Sequence, residues 1–183
     1  MPASVSDPAA IYRCPIFSVH EGDIRLPNER LARQSWIRHR PCIAVVPVNP
    51  EGKLILIEQH SHATGGMLIE IPAGNMDRER EDPEACTQRE LAEEIGFQAK
   101  SLVKLFSGYL VPGYCDEYMH FFLACDLYPS RLPCDADEYI QLKITSFPEA
   151  EAMIRDGRIR DVKTALGIKM AATKLAEIGR HPA

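Results

Sequence analysis

Residues 70–97 read EIPAGNMDREREDPEACTQRELAEEIGF. Asp82-Pro83 supplies an N-cap acid followed by proline at the first helical position, and Gly96 stands where a left-handed C-cap belongs. The spacing predicts a helix over 83–95. On that helix Glu90, Glu93 and Glu94 fall at i, i+3 and i+4, which puts three carboxylates on one face within a single turn. Alone, such a cluster reads as a solvated acidic face with Arg89 pairing Glu93 one turn on. Its setting points elsewhere. Pro72-Ala73-Gly74 marks a place where a strand leaves its sheet sharply, and Glu81, eight positions before Arg89, is spaced to pair with it across the helix start. A carboxylate cluster framed in this way suits a hard divalent cation such as Mg²⁺, which takes oxygen ligands and keeps waters for substrate phosphates.

Working outward, the segment is embedded in strand signals. Ile43–Val48 and Leu54–Glu58 flank Asn49-Pro50-Glu51-Gly52, a hairpin connection, and Met67–Pro72 reads as a further short strand. Downstream, strands are expected near Leu102–Leu110, Tyr118–Cys125 and Tyr139–Phe147. Helices follow over Pro148–Arg155 and, capped by Asp161, from Val162 to about residue 178. Upstream, residues 1–11 read as a loose tail. Short strand pieces (Phe17–His20, Ile24–Leu26, Gln34–Arg38) are separated by Glu21-Gly22-Asp23 and Pro27-Asn28-Glu29. Strands flanking one central helix, with helices again at the end, predict an α/β fold: a mixed sheet covered by helices on its faces. The composition shifts near residue 40, so residues 1–40 are expected as a tail and β extension and 41–183 as the main domain.

Composition narrows the function classes. The chain has 183 residues, 45% of them apolar, which suffices for a buried core without disulfides. The net charge is −5, which argues against a sequence-independent nucleic-acid coat, since neutralising phosphates takes a basic face. That charge is local. Between Glu70 and Gly96 there are nine acidic and three basic residues, against 17 acidic and 18 basic in the rest of the chain. No apolar run approaches the roughly 18 residues of a membrane span. The opening MPASVSDPAA lacks the basic and apolar regions of a secretory signal. Six cysteines without a CxxC pair are expected as reduced thiols, and the protein as cytoplasmic.

The 70–97 segment resembles the signature of the Nudix hydrolase family. Arg89, Glu90, Leu91, Glu93, Glu94, Gly96 and Phe97 match each fixed position of its second half, and Glu81 has the seven-residue gap to Arg89. The departure is at the front, where six residues rather than five separate Gly74 from Glu81. The resemblance implies a Nudix-type α/β/α sandwich with a short N-terminal β extension. It implies Glu90, Glu94 and the Ala73 carbonyl as ligands of Mg²⁺, for which Mn²⁺ could substitute. Glu93 would be a further ligand or a base, and Arg89 an orienting residue held by Glu81. The implied reaction is attack of water on a phosphorus of a nucleoside diphosphate linked to another group.

Beyond this segment the chain is similar to the branch acting on ADP-ribose and nucleoside diphosphate sugars. Glu70-Ile71-Pro72-Ala73-Gly74 resembles the lead-in of that branch, and Val111–Glu117 its substrate loop, so that Glu70, Pro112, Gly113 and Glu117 are implied substrate contacts. Asp137-Glu138-Tyr139-Ile140 resembles an acidic loop that carries a catalytic glutamate, with Glu138 the best match. Trp36, the sole tryptophan, falls where related enzymes place an aromatic against the base, often from a dimer partner; base stacking and core packing are both open to it. A homodimer is therefore expected. The branch commonly carries an arginine where this chain has Ser61, next to His60 and His62, which leaves GDP-mannose or another sugar nucleotide open. Two alternatives remain: a Nudix hydrolase of nucleoside triphosphates or dinucleoside polyphosphates, and a nucleotide-binding domain without turnover.

Overall fold

A computed structural model describes residues 8–78, 81–133 and 139–179. Glu138, with Asp135 and Asp137, lies outside the described residues. Three antiparallel strands come first, β1 (Ala10–Arg13), β2 (Phe17–Arg25) and β3 (Leu31–His39), side by side in that order. Ala10 and Ile11, expected as tail, begin β1, which pairs with Ser18–His20. Glu21-Gly22-Asp23, expected as a turn, instead continues β2 in unbroken register with Arg33–Ser35. Glu21 accepts hydrogen bonds from Arg33 at 2.5 Å and Ser35 at 3.3 Å, and such cross-strand pairs favour the extended chain over a turn. The turn that does form is Pro27-Asn28-Glu29, with Glu29 at φ 66°.

The body comprises β4 (Cys42–Pro47), β5 (Leu54–Ser61), β6 (Gly66–Glu70), β7 (Ala73–Asn75), α1 (Pro83–Glu90), a π turn (Leu91–Ile95), β8 (Phe97–Tyr109), β9 (Tyr118–Pro129), β10 (Ile140–Thr145), α2 (Phe147–Arg155) and α3 (Val162–Glu177). One sheet runs β7-β4-β9-β8 and a second β10-β5-β6. β4 is parallel to β9 and antiparallel to β7, so the sheet is mixed.

All six residues of β4 are buried, and its two faces enter different cores. Cys42, Ala44 and Val46 pack with Phe121, Met153 and Ile168, on the side of α2 and α3. Ile43 and Val45 pack with Cys86, Leu91 and Ile95, on the side of α1 and the π turn. A strand covered on both faces needs a continuous apolar run, and Ile43-Ala44-Val45-Val46 is one. The expected layering of helices on both faces of a mixed sheet is thus what the chain forms. Each fully buried Val, Leu or Ile contributes about 1.5–3 kcal/mol.

The N-terminal sheet supplies no residue to either core. It joins the body through one edge. The Ile37 N–H donates to the Tyr114 carbonyl at 2.7 Å, and the Asp116 N–H donates to the Ile37 carbonyl at 3.1 Å. These bonds hold loop 111–117 against β3.

Candidate active site

The acidic segment is assembled around one guanidinium. Arg89 lies at the end of α1 with its side chain only 10% exposed. Its Nε and Nη2 donate to the two oxygens of Glu81, each at 2.9 Å, a bidentate fork of charge-assisted bonds. Nη1 donates to Glu90 Oε1 at 2.6 Å and to Glu93 Oε2 at 2.9 Å. Nη2 also reaches the Asn75 carbonyl at 3.1 Å. Glu93 accepts a second cation, Arg78, at 2.9 Å. Both sequence-expected pairs of Arg89 are present, and the same group orients Glu90.

Glu94 points to the other neighbour of the helix. Its Oε2 accepts the Ala73 N–H at 3.2 Å. The last turn is not the regular α-helix expected over 83–95. From Leu91 the chain winds as a π turn, closed by the N–H of Gly96 donating to the Leu91 carbonyl, with Gly96 in the left-handed conformation at φ 75°. Single π turns recur at functional sites.

Gly74 explains how the helix and β7 come so close. A methyl group built on Gly74 would fall inside the Glu90 carboxylate. Ala73, Gly74, Asn75, Glu90 and Glu93, with Arg78 and Arg89 beside them, line a cavity of about 190 Å³, almost wholly polar. Its oxygen donors fit a hard divalent cation, and the glycine leaves the room that a Cβ would fill. Gly74→Ala is expected to displace Glu90 while preserving the fold. The divalent-cation concentration giving half-maximal turnover should rise about 10–100-fold, as it does when groups that orient ligands are disturbed.

The network also shifts protonation. Hydrogen bonds from Arg89 hold the Glu81 carboxyl below its ordinary value of 4.5. A carboxyl depressed by folding stabilises the native state above its unfolded pKa, and that contribution is lost as pH falls through the folded one. Urea unfolding at descending pH should therefore show a loss of stability below pH 4.5 that Glu81→Gln largely lacks.

The remaining expected residues fall into two further places. Trp36, Pro112 and Gly113 line one cavity of about 410 Å³, so β3 and loop 111–117 bring these three together. One side of Trp36 is occupied, its ring stacking on His20 with centroids 5.7 Å apart. Glu117 lines a different cavity of about 490 Å³ with Arg160 and Lys163. Glu70 is buried and ion-paired with Lys163, which also donates to Asp161 at 2.9 Å. Burial draws the Lys163 pKa down, but Asp161 and Glu70 more than offset this and leave it raised. Glu70 thus ties the end of β6 to the start of α3. His60 and His62 are exposed, with ring centroids 5.0 Å apart.

Sequence reasoning missed Asn75, Arg78 and Lys163. Asn75 acts partly through its backbone carbonyl, which leaves no trace in residue type. Arg78 does carry a signal: with Arg80 it is one of two cations among the acids of the loop before α1. Cys42, expected only as a reduced thiol, is also part of this network. It donates to Asn75 Oδ1 at 3.3 Å, and burial together with Glu117 pushes its thiol up to about 12.

A family model described as NUDIX domain matches residues 38–165. The chain is 32% identical over 168 residues to the ADP-ribose pyrophosphatase of Bacillus subtilis (strain 168), covering 91% of this chain and 90% of that protein. It is 40% identical over 148 residues to the GDP-mannose pyrophosphatase of Yersinia enterocolitica serotype O:8 / biotype 1B, covering 76% of each. A crystal structure described as an ADP compounds hydrolase shares the fold, with a TM-score of 0.80 at 24% identity over 97% of this chain and 98% of that one.

Proposed function

The chain belongs to the Nudix family, and from that premise we propose that it hydrolyses the pyrophosphate bond of ADP-ribose or a related nucleoside diphosphate sugar, giving a nucleoside monophosphate and a sugar phosphate. The observation that carries this reading is the polar cavity in which Gly74 makes room for Glu90 beside the Arg89 network. Glu90, Glu94 and the Ala73 carbonyl would hold Mg²⁺. Once bound, the cation stabilises the charge that develops on phosphoryl oxygens. Glu93, fixed between Arg89 and Arg78, is positioned as a further ligand or as a base for the attacking water. Glu138 is the other candidate base.

In this reading Trp36 stacks on the nucleobase, and Pro112 and Gly113 form the opposite wall. Trp36→Ala should raise KM about tenfold with little change in kcat, the cost of one lost base–aromatic contact. Glu117 would contact the sugar side, and Glu70 would act through the anchored start of α3.

The proposal extends to a cytoplasmic homodimer, with residues 1–40 as the exchange element and 41–183 as the catalytic domain. The dimer is supported by Ile11, Tyr12 and Leu31, which are exposed on a sheet that has no core of its own. The described cysteines are all free, as a reducing compartment would keep them. Among the described residues no helix is long and apolar enough to cross a membrane.

The test is a turnover panel with Mg²⁺ and with Mn²⁺: ADP-ribose, GDP-mannose, nucleoside triphosphates and dinucleoside polyphosphates, read as kcat/KM ratios. The expected result is nucleoside monophosphate release, fastest from the sugar nucleotides. Preference for a triphosphate would move the chain to another branch of the family. Calorimetric binding without turnover would make it a nucleotide-binding domain.

A further inference from the structure

His39, Cys42 and Glu117 come together where the β3–β4 turn meets loop 111–117. One ligand atom from each lies within 4.8 Å of the other two. Cys42 is buried, and the other two are half-buried. The Cys42 Sγ is 3.6 Å from His39 Nδ1. Bonds of about 2.3 Å to sulfur and about 2.0–2.1 Å to nitrogen, opened at a tetrahedral angle, span about 3.6 Å, so the pair already stands at the edge length of a zinc-type site. Among the described residues no ion pair neutralises Glu117.

We propose that His39, Cys42 and Glu117 form a second divalent-cation site, of the thiolate–imidazole–carboxylate kind that takes Zn²⁺, separate from the all-oxygen cluster on α1. The donor sets sort the metals. A thiolate and an imidazole favour a borderline-soft ion, while Mg²⁺ favours the carboxylates and carbonyl of the polar cavity. Capture replaces the Cys42 thiol proton, which leaves to solvent. His39 Nδ1 exchanges its contact with the Arg40 carbonyl, now 2.7 Å away, for the metal. Three protein ligands leave the fourth position to water.

The His39 N–H donates to Asp116 Oδ1 at 2.7 Å, which holds the histidine against the loop that carries Glu117. Bound metal would pin loop 111–117 to the start of β4. Pro112 and Gly113 ride on that loop beside Trp36, so the metal would order the wall of the Trp36 cavity.

Co²⁺ is the probe, titrated into the whole protein with Mg²⁺ in large excess to fill the carboxylate cluster. A thiolate ligand gives cobalt a near-ultraviolet charge-transfer band that oxygen donors cannot give. Wild type should reach saturation at one equivalent. Cys42→Ser should lose the band, Cys86→Ser and Cys115→Ser should keep it, and His39→Ala and Glu117→Gln should each weaken Co²⁺ binding at least tenfold. No band in wild type, or a band that survives in Cys42→Ser, overturns the site. If Cys42→Ser does not fold, the other two variants decide: unchanged affinity in both overturns the proposal. The readout is a spectrum and not turnover, so it stands apart from whether sugar nucleotides are hydrolysed.

Discussion

Glu94→Gln should lower kcat for the preferred sugar nucleotide on the order of a hundredfold or more, the scale on which removal of one electrostatic stabiliser is felt. The fold should survive the change. Oε2 of Glu94 accepts the Ala73 N–H, and a glutamine amide oxygen can accept the same bond. What disappears is a charge beside the polar cavity, and with it the capacity to hold a divalent ion between helix and β7. Initial rates of nucleoside monophosphate release at saturating Mg²⁺, set beside thermal melts of both proteins, separate the two effects. Equal rates for variant and wild type would remove Glu94 from the metal site.

The second large effect is on stability. Arg89→Ala withdraws a cation that engages Glu81, Glu90 and Glu93 together. Glu81 and Glu90 have side chains only 8% and 11% exposed, so water cannot fully replace what they lose. Breaking a buried pair from one side costs about 3–5 kcal/mol, and equilibrium urea unfolding should show a loss of that size. Mg²⁺ should restore part of it, because a cation bound among the stranded carboxylates stabilises the native state by mass action. A loss under about 1 kcal/mol, the range of an exposed pair, would mean that the carboxylates are solvated and the network does not hold the site.

The parts legible in the sequence are those where local chemistry and global fold agree. The Asp82-Pro83 start, the Gly96 stop and the apolar run of β4 each need only neighbours in sequence, and each is present as expected. The Glu81–Arg89 pair was legible for the same reason. The misreadings come from interactions between distant residues. Glu21-Gly22-Asp23 has turn composition, yet Arg33 and Ser35 across the hairpin keep it in a strand. The π winding after Glu90 cannot be read from periodicity, since its five residues carry the same pattern as an α turn. Met67–Pro72 was read as one strand, but the chain ends β6 at Glu70 and places Ala73–Asn75 in the other sheet, where β4 receives it. That exchange of sheets brings Gly74 beside Glu90. The His39–Cys42–Glu117 cluster was invisible because its members lie up to 78 positions apart, joined only when loop 111–117 docks on β3.

That docking has a consequence for how the molecule comes apart. A sheet without an interior has no cooperativity of its own. β1–β3 can hold only as firmly as the edge bonds that Ile37 and His39 make to loop 111–117, and whatever covers Ile11, Tyr12 and Leu31. Its amides therefore belong to the least protected unit of the protein, able to open while β4 and both cores stay closed. Trp36 sits on that unit, so the wall of its cavity is lost with the first opening and long before global unfolding. Opening of that unit would then leave the circular dichroism of the body reading as native.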